Sequence, residues 1–495
     1  WTFNDAMRAL LLVALVAGAS AAPWNHVSAS IASLNVHLGG REPAAYPQYN
    51  QTEHYFTGQR LDHFDPTNQA TWSQRFFVID DFWKPPHGPV ILHLCGEYVC
   101  PGINPSRLYP LQLASEWGAL VVTVEHRFYG KSQPFGDLAV DHLRFLSSRQ
   151  ALNDLAFFTE WFQSTWIDQG HGAAGNNTWI TIGGSYPGAM AAWYRLKYPH
   201  LTAAAHSSSG VVQAILNFTA FDEQVAASVG TECADALRAT TVAVETALAK
   251  DPTSAKAAFK AADLRDGDFF YLMADAAAES VQYGHHEAVC NALVPVARAK
   301  GDLFSAYVSF VTSFFYGTMG NAADDYNLDL LASPTVDPLA GGAGRSWWWQ
   351  KCTEVAYFQV APEQGSIRSQ AVNLQYHMDA CNRMFGLTAL PDVQGTNDYY
   401  GGNQMAGSNI FFANGGEDPW QWAGVRQSLG PQLPARVTQC DDCAHCVELY
   451  TPQSTDSAAL NQTRAMAQQY LEKWTGVGRA GARRAVDVDV VSASA

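Results

Sequence analysis

The sequence predicts an α/β fold in which a mostly parallel sheet is interrupted by a long helical insertion. Short β-branched or aromatic runs bounded by Gly, Pro or Asn are typical of strands, and they occur at 74–80, 88–95, 119–126 and 178–184. Segments with apolar residues at helical spacing separate the later runs. Strands that alternate with helices indicate a parallel sheet covered on both faces.

The predicted secondary structure changes twice in the second half of the chain. Between about Val211 and Gly395, long helical periods carry few strand signals, which indicates an inserted helical cap. The run "NIFFANGGEDPW" at 409–420 then predicts a strand followed by a Gly/Asp loop. The segment "SAALNQTRAMAQQYLEKW" at 457–474 predicts a closing amphipathic helix.

These changes divide the chain into six predicted segments. A chain of 495 residues is long enough for one large domain with such an insertion. The segments are upstream residues and a signal peptide at 1–21, a propeptide-like lead-in at 22–55, the first part of the sheet domain at 56–210, the helical cap at 211–395, the second part of the sheet domain at 396–476, and a disordered tail at 477–495.

The composition is that of a globular protein. Hydrophobic residues make up 47% of the chain and charged residues 15%, so a large core can form. The formal net charge is −16, and no Lys/Arg-rich run of the kind that follows a phosphate backbone occurs. The sequence therefore argues against nucleic acid as a partner.

Three features predict entry into the secretory pathway. The apolar run "ALLLVALVAGASAA" follows Met7 and Arg8 and predicts a signal peptide cleaved near Ala21, with an N-terminal anchor as the alternative. Nine cysteines are typical of an oxidising compartment. Sequons for N-glycosylation occur at Asn50, Asn176, Asn217 and Asn461. We expect a secreted or lysosomal/vacuolar protein with no stable membrane insertion after signal cleavage.

The stretch "TWITIGGSYPGAMAAW" predicts a nucleophile at Ser185. This serine follows a strand and precedes an alanine-rich helix, which is the context of a nucleophile elbow, and nearby glycines leave room for a sharp turn. The pattern departs from G-x-S-x-G, because Pro187 stands two residues after the serine and the glycine moves to Gly188. Proline is tolerated in the first turn of a helix. An ordinary turn serine is the alternative.

The candidate acid and base follow in the order Ser, Asp, His of α/β-hydrolases. Asp418 comes directly after the strand in "NIFFAN", with Glu417 as the adjacent competitor and an Asx turn as the non-catalytic alternative. His445 is the only histidine between Asp418 and the C-terminus, so it is the candidate base. The order of the three candidates along the chain is therefore the one that an α/β-hydrolase fold requires.

An oxyanion hole needs two backbone N–H groups near the nucleophile. Tyr186, the residue after the serine, supplies the first by position. The loop "LCGEYVC" follows an early predicted strand, and its Gly96 or Glu97 would supply the second.

The chain resembles the serine peptidase family of lysosomal Pro-Xaa carboxypeptidase, dipeptidyl peptidase II and thymus-specific serine protease. The matching segments run in the family's order from about Gln59 to Trp474, and they are "EHRFYGKS", "GGSYPGAMAAW", "WWWQKCTEVAYFQ", "CNRMFG", "NGGEDPW" and "AHC". The resemblance implies cleavage after proline or a small residue near a chain end. It also assigns the triad positions to Ser185, Asp418 and His445.

The resemblance extends to the substrate pocket, with departures. Trp420 matches a tryptophan that lines the proline pocket in relatives, where a flat ring can stack on an aromatic face. The two exopeptidases carry Gly-Gly-Met after the Ser-Tyr pair, where this chain has Pro187, Gly188 and Ala189. That form is closer to the thymus-specific branch, and Ala189 in place of Met predicts a more open pocket wall.

The cysteines predict disulfides rather than a metal site. Cys352 and Cys381 match a disulfide that flanks the cap in the family. The other candidate pairs are Cys95 with Cys100 and Cys233 with Cys290. The cluster of Cys440, Cys443, His445 and Cys446 has zinc-like spacing, but an oxidising compartment favours disulfides and His445 is already assigned to the triad. The sequence predicts no cofactor and no metal.

The sequence therefore predicts a serine exopeptidase that acts on peptides through an acyl-enzyme. A lipase or esterase on the same fold and a catalytically inactive binding protein are the alternatives, because fold alone does not fix chemistry. A homodimer is also considered. The sequence leaves open which chain end is cleaved, how strictly proline is required, the pH optimum, and the pairing within Cys440, Cys443 and Cys446.

Overall fold

The protein is described from a computed structural model, which covers residues 48–170, 177–339 and 341–478. The predicted signal peptide, most of the lead-in, the sequon at Asn176 and nearly all of the predicted tail lie outside these residues. Within them, no helix is both long and apolar enough to cross a membrane.

The described residues form one eight-stranded sheet, in the order β1-β2-β4-β3-β5-β6-β7-β8. The first two strands run antiparallel to their neighbours, and the other pairings are parallel. This is the mixed sheet of an α/β-hydrolase, and it confirms the predicted fold class. The strands are β1 Thr52–Arg60, β2 Thr71–Ile79, β3 Val90–Leu94, β4 Leu120–Val124, β5 Trp179–Gly184, β6 Ala204–Ser208, β7 Ile410–Gly415 and β8 Ala435–Thr438.

The central strands read as apolar runs because both of their faces are buried. Every residue of β4 is buried, and β3 is buried except at the half-buried His93. Helices therefore cover both faces, as expected for parallel strands. The helices outside the cap are α1 Tyr109–Trp117, α2 Val140–Leu143, α3 Ser148–Trp161, α4 Tyr186–Lys197 and α15 Ala458–Thr475.

The helical cap lies between β6 and β7. Its α-helices are α5 Thr219–Ser228, α6 Thr231–Lys250, α7 Pro252–Ala258, α8 Asp266–Gln282, α9 His286–Arg298, α10 Leu303–Phe310, α11 Leu328–Leu331, α12 Gly342–Gln350, α13 Leu374–Phe385 and α14 Val393–Tyr400. Aromatic and aliphatic side chains of these helices join the core that lies under one face of the sheet. The cap is therefore packed onto the sheet domain as one hydrophobic unit.

Two predicted segment boundaries fall inside elements of the structure. Strand β1 begins at Thr52 and pairs along β2, so the sheet starts within the segment predicted as a lead-in up to residue 55. Helix α14 spans the boundary predicted at 395/396. Both differences arise because neither segment carries a clear apolar period, and their places are set by contacts with the sheet and the cap.

Candidate active site

Ser185 occupies a strained turn between β5 and α4. Its backbone has φ 67° and ψ −131°, a conformation that a residue with a side chain adopts only when its surroundings impose it. The Ser185 N–H donates to the Ser208 carbonyl at 2.9 Å, which ties the turn to β6. A Cβ on Gly183 would lie 2.2 Å from the Pro187 carbonyl oxygen, so the turn requires glycine there.

Pro187 fits the first turn of α4, where its missing N–H breaks no hydrogen bond of the helix. Its ring packs against the loop after β3, since a Cβ on Gly96 would lie 2.4 Å from Pro187 Cγ. The proline that breaks the elbow pattern thus fixes how closely the candidate oxyanion loop approaches Ser185. A glycine at position 96 is required by this contact.

Asp418 and His445 form a buried pair on the loops that follow β7 and β8. His445 Nδ1 lies 2.9 Å from Asp418 Oδ2, and the two residues are 2% and 0% exposed. Burial lowers the pKa of the His445 imidazole, but the Asp418 carboxylate and the neighbouring Cys446 outweigh burial and raise it. The other Asp418 oxygen accepts the Trp420 N–H at 2.9 Å, which fixes the carboxylate in orientation.

The competitor Glu417 does not take the place of Asp418. Its carboxylate instead lies 3.2 Å from His286 Nδ1 on cap helix α9, and Asp442 lies 3.6 Å from the same nitrogen. Within the described ranges, these three residues are the group whose possible metal-ligand atoms lie within 4.8 Å of one another. The contacts of this imidazole with the two carboxylates link the cap to both loops of the Asp–His pair.

Two cavities open at Ser185. One, of about 280 Å³, is lined by both Ser185 and His445, and it also contains Arg107. The other, of about 350 Å³, is lined by Ser185, Tyr186 and Trp420 and extends under the cap. The structure therefore brings the predicted nucleophile and base to one cavity and the predicted pocket tryptophan to the other. Glu97 lines both.

Of the residues predicted for the oxyanion hole, Glu97 lines the same cavities as Ser185, and Gly96 packs against Pro187. Gly96 and Glu97 follow β3 directly, in a loop closed by the Cys95–Cys100 disulfide. Burial raises the pKa of the Glu97 carboxyl, and its Oε2 has no hydrogen-bond partner among the described residues.

The Tyr186 side chain is held by a network that sequence reasoning missed. His126 Nδ1 lies 2.8 Å from the Arg127 carbonyl, and burial lowers the pKa of this imidazole to about 4, so Nδ1 carries the proton of a neutral ring. His126 Nε2 therefore accepts from the Tyr186 hydroxyl at 3.2 Å, and that hydroxyl accepts from Gln350 Nε2 at 2.8 Å. The segment "WWWQKC" contains Gln350, but its spacing gave no sign of this contact.

Trp420 and Ala189 have different environments. The Trp420 ring contacts Phe218, Phe221 and Tyr357 at centroid distances of 5.7, 5.0 and 5.7 Å, and its Nε1 donates to Gln282 Oε1 at 2.8 Å. Ala189 is fully buried in the core and lines neither cavity. The structure therefore places Ala189 in the core, and its role as a pocket wall stays a prediction.

The cysteines form four disulfides and leave one thiol. Cys352 is joined to Cys381, and Cys233 is joined to Cys290 across α6 and α9. Cys440 is joined to Cys443, a pairing that the sequence left open. Cys446 is free and buried, and its sulfur packs close to Gly184 at the end of β5.

The structure describes three of the four predicted glycosylation sites. Asn50, Asn217 and Asn461 are exposed, as an acceptor asparagine must be. Asn176 lies outside the described residues. Glycosylation itself stays a prediction.

Comparison with known proteins places the chain in one family. The family described as serine carboxypeptidase S28 matches residues 59–467. "Probable serine protease EDA2" of Arabidopsis thaliana is 37% identical over 453 residues, which cover 88% of this chain and 92% of the relative. Human "Thymus-specific serine protease" is 30% identical, with 88% of each chain covered. Bovine "Lysosomal Pro-X carboxypeptidase" is 26% identical, with 84% of this chain and 86% of the relative covered.

Proposed function

Because the chain belongs to the serine carboxypeptidase S28 family and is a serine peptidase, we propose that it cleaves peptides near a chain end through an acyl-enzyme on Ser185. The observation that carries the proposal is the buried hydrogen bond between His445 and Asp418, at a cavity that also contains the strained Ser185. A serine is activated by a base that an acid orients, and these two observations support that role for the three residues.

Each residue has one role in the proposed reaction. Ser185 Oγ attacks the scissile carbonyl while His445 Nε2 takes its proton. Asp418 holds Nδ1–H of His445 and stabilises the imidazolium that forms. His445 then gives the proton to the leaving amine as the C–N bond breaks, and a water molecule attacks the resulting ester through the same base. The N–H groups of Tyr186 and of the 96–97 loop stabilise the oxyanion.

The cap supports action at a chain end. The cavity that contains Trp420 runs beneath cap residues, and its volume of about 350 Å³ lies near the lower end of the roughly 300–1,000 Å³ of ligand pockets. A cavity of that size suits a few residues. The Trp420 ring, packed among three aromatic rings, offers a flat apolar face to proline or a small residue.

The environment of the proposed enzyme is the secretory pathway or the lysosome. Four disulfides and the exposed sequons support this proposal, and one relative is named as lysosomal. A homodimer stays a prediction, for which sedimentation of the purified protein is the test.

A fluorophosphonate probe and two substrate classes test the proposed function. We expect the probe to label Ser185, and peptides with proline near one end to be hydrolysed faster than p-nitrophenyl esters of fatty acids. The Ser185→Ala variant is the control for labelling. An enzyme that hydrolyses the lipid esters and leaves peptides intact would be an esterase, and a protein that the probe does not label would be a binding protein.

A further inference from the structure

A cluster of three side chains joins the cap to the loops that carry Asp418 and His445. It consists of His286, the first residue of cap helix α9, with Glu417 and Asp442 from the loops after β7 and β8. His286 Nδ1 lies 3.2 Å from Glu417 Oε2 and 3.6 Å from Asp442 Oδ1, and one ligand atom of each residue lies within 4.8 Å of the other two. We call this group the His–Glu–Asp cluster.

The spacing of these atoms matches that of the ligands of a zinc ion. Zinc binds imidazole nitrogen and carboxylate oxygen at about 2.0 to 2.2 Å, so two ligand atoms at a tetrahedral angle lie about 3.3 to 3.5 Å apart. The two distances from His286 Nδ1 lie on either side of this range. The Asp442 side chain is 56% exposed, so it can rotate to bring its oxygen closer to Glu417.

The charges of the cluster also favour a cation. Two carboxylates face one imidazole, and no Lys or Arg among the described residues forms an ion pair with Glu417 or Asp442. Glu287 and Asp441, the neighbours of cluster residues in the chain, add two exposed carboxyl groups. A divalent cation between the two carboxylates would replace the repulsion of like charges by attraction.

The backbone segments that carry the cluster already contact one another. The Glu417 N–H donates to the Cys443 carbonyl at 3.0 Å, which joins the two loops. The Glu417 carbonyl accepts from the Ser228 hydroxyl at 3.1 Å, which joins the first loop to cap helix α5. A Cβ on Gly284 would lie 3.4 Å from Asp442 Cβ, so the backbone just before α9 packs against the second loop. The ligands are therefore held near one another by the fold, and an ion needs only small shifts to bind.

We propose that the His–Glu–Asp cluster binds Zn²⁺ and that the ion clamps the cap to the loops of Asp418 and His445. An imidazole nitrogen with carboxylate oxygens is a donor set that zinc accepts, whereas Ca²⁺ and Mg²⁺ prefer oxygen ligands. Water completes the coordination on the exposed side of Asp442. The site differs from the cysteine cluster with zinc-like spacing, in which Cys440 and Cys443 form a disulfide.

Calorimetric titration of the full chain, without an affinity tag, tests for the site at pH 7.5. We expect about one equivalent of Zn²⁺ to bind with a Kd of about 10 μM or tighter, and Ca²⁺ and Mg²⁺ to bind at least about 100-fold more weakly. This measurement needs no turnover, so the inference does not rest on the proposed function. A Kd for Zn²⁺ above about 1 mM, or equal affinity for Mg²⁺, would overturn it.

Variants of the cluster test the ligands themselves. Asp442→Asn and, separately, Glu417→Gln keep the shape of the side chain and remove its charge, so each should weaken Zn²⁺ binding about tenfold or more. Asp441→Asn, a matched change at the exposed neighbouring position, should alter Kd less than about threefold. Thermal unfolding in EDTA shows that each variant is folded. Native affinity in both folded cluster variants, or an equal loss in Asp441→Asn, contradicts the assignment.

Thermal unfolding and hydrogen exchange test whether the ion acts as a clamp. Zn²⁺ at 100 times its Kd should raise the Tm of the native protein by about 3 °C, and the rise in Asp442→Asn should be at most half as large. Hydrogen exchange should slow at the start of α9 and in both loops, 416–418 and 440–445, and should not change in α3. Protection of only one of these three segments would show that the ion does not join the cap to the loops.

Discussion

The sheet domain and the cap contribute different kinds of residue to the same site. The sheet domain supplies the proposed reacting groups, each in a turn or loop that follows a strand: Ser185 after β5, Asp418 after β7 and His445 after β8. The cap supplies charged and aromatic lining from separate helices. If the proposed function is right, the sheet domain determines bond cleavage and the packing of the cap determines which substrates fit.

The two regions are nevertheless joined at the catalytic loops. The His445 N–H donates to the Gln282 carbonyl at the end of α8, and the Gln282 side chain accepts from Trp420. His286 of the cap lies against Glu417, the residue next to Asp418. Displacement of the cap would therefore disturb His445 as well as the pocket. Variants of each region measure how separate the contributions of the sheet domain and the cap are.

The largest expected effect is that of Ser185→Ala. Loss of the nucleophile should lower kcat by about 10⁴-fold or more, as removal of a triad member does in serine proteases generally. The cap contacts are untouched, so thermal unfolding and the binding of an uncleaved peptide should stay close to those of the native protein. Activity that survives the substitution would mean that the sheet domain does not supply the nucleophile.

Asp418→Asn should lower kcat by about 10³- to 10⁴-fold and also move the pH profile. His445 must be neutral to accept the serine proton, so kcat/KM rises with pH through the pKa of His445. The Asp418 carboxylate raises that pKa, and its removal should shift the rise to lower pH. Because the pKa of His445 is raised to about 10, measurement of kcat/KM from pH 5 to 11 checks the sign. If the pH profile of kcat/KM does not shift in the variant, a group other than His445 controls its rise.

Gly96→Ala should act through the contact between the oxyanion loop and the elbow. The new Cβ would lie 2.4 Å from Pro187 Cγ, so the loop must move away from Ser185. A displaced oxyanion donor costs about 100-fold in kcat. The double variant Gly96→Ala, Pro187→Ala removes the clashing ring atom and should recover most of the rate. If the double variant is as slow as the single one, steric displacement is not the cause.

The sequence predicted the sheet domain's part of the site better than the cap's part. Ser185, Asp418 and His445 each follow a strand or lie in a loop with a local signature, and their order along the chain matches the fold. Strand β6, "AAHSS", was missed because its small and polar residues carry no strand pattern, and β5 and β7 determine its place. Pairing with neighbours, rather than propensity, makes it a strand.

The cap lining could not be predicted because its members are distant in sequence. Asp275 and Glu279 come from α8, and Lys351 follows α12. Each resembles an ordinary polar position of a helix, and only tertiary packing directs the three into one cavity. Ala189 was assigned to the pocket from a family resemblance, whereas the structure buries it in α4.

The smallest effect, and the one that best defines the border between the two regions, is expected for Gln282→Ala. This change keeps the Gln282 carbonyl that holds His445 and removes only the acceptor of Trp420 Nε1. Loss of one hydrogen bond costs about 1 kcal/mol, so KM for a proline peptide should rise about fivefold with little change in kcat.

Trp420→Phe removes the same hydrogen bond from the other side, so the effects of the two substitutions on KM should not add. Trp422→Phe, which breaks an equivalent bond to Gln224 on the exposed surface, is the matched control. A fall in kcat equal to the rise in KM would mean that the cap positions the base through this side chain as well as the substrate.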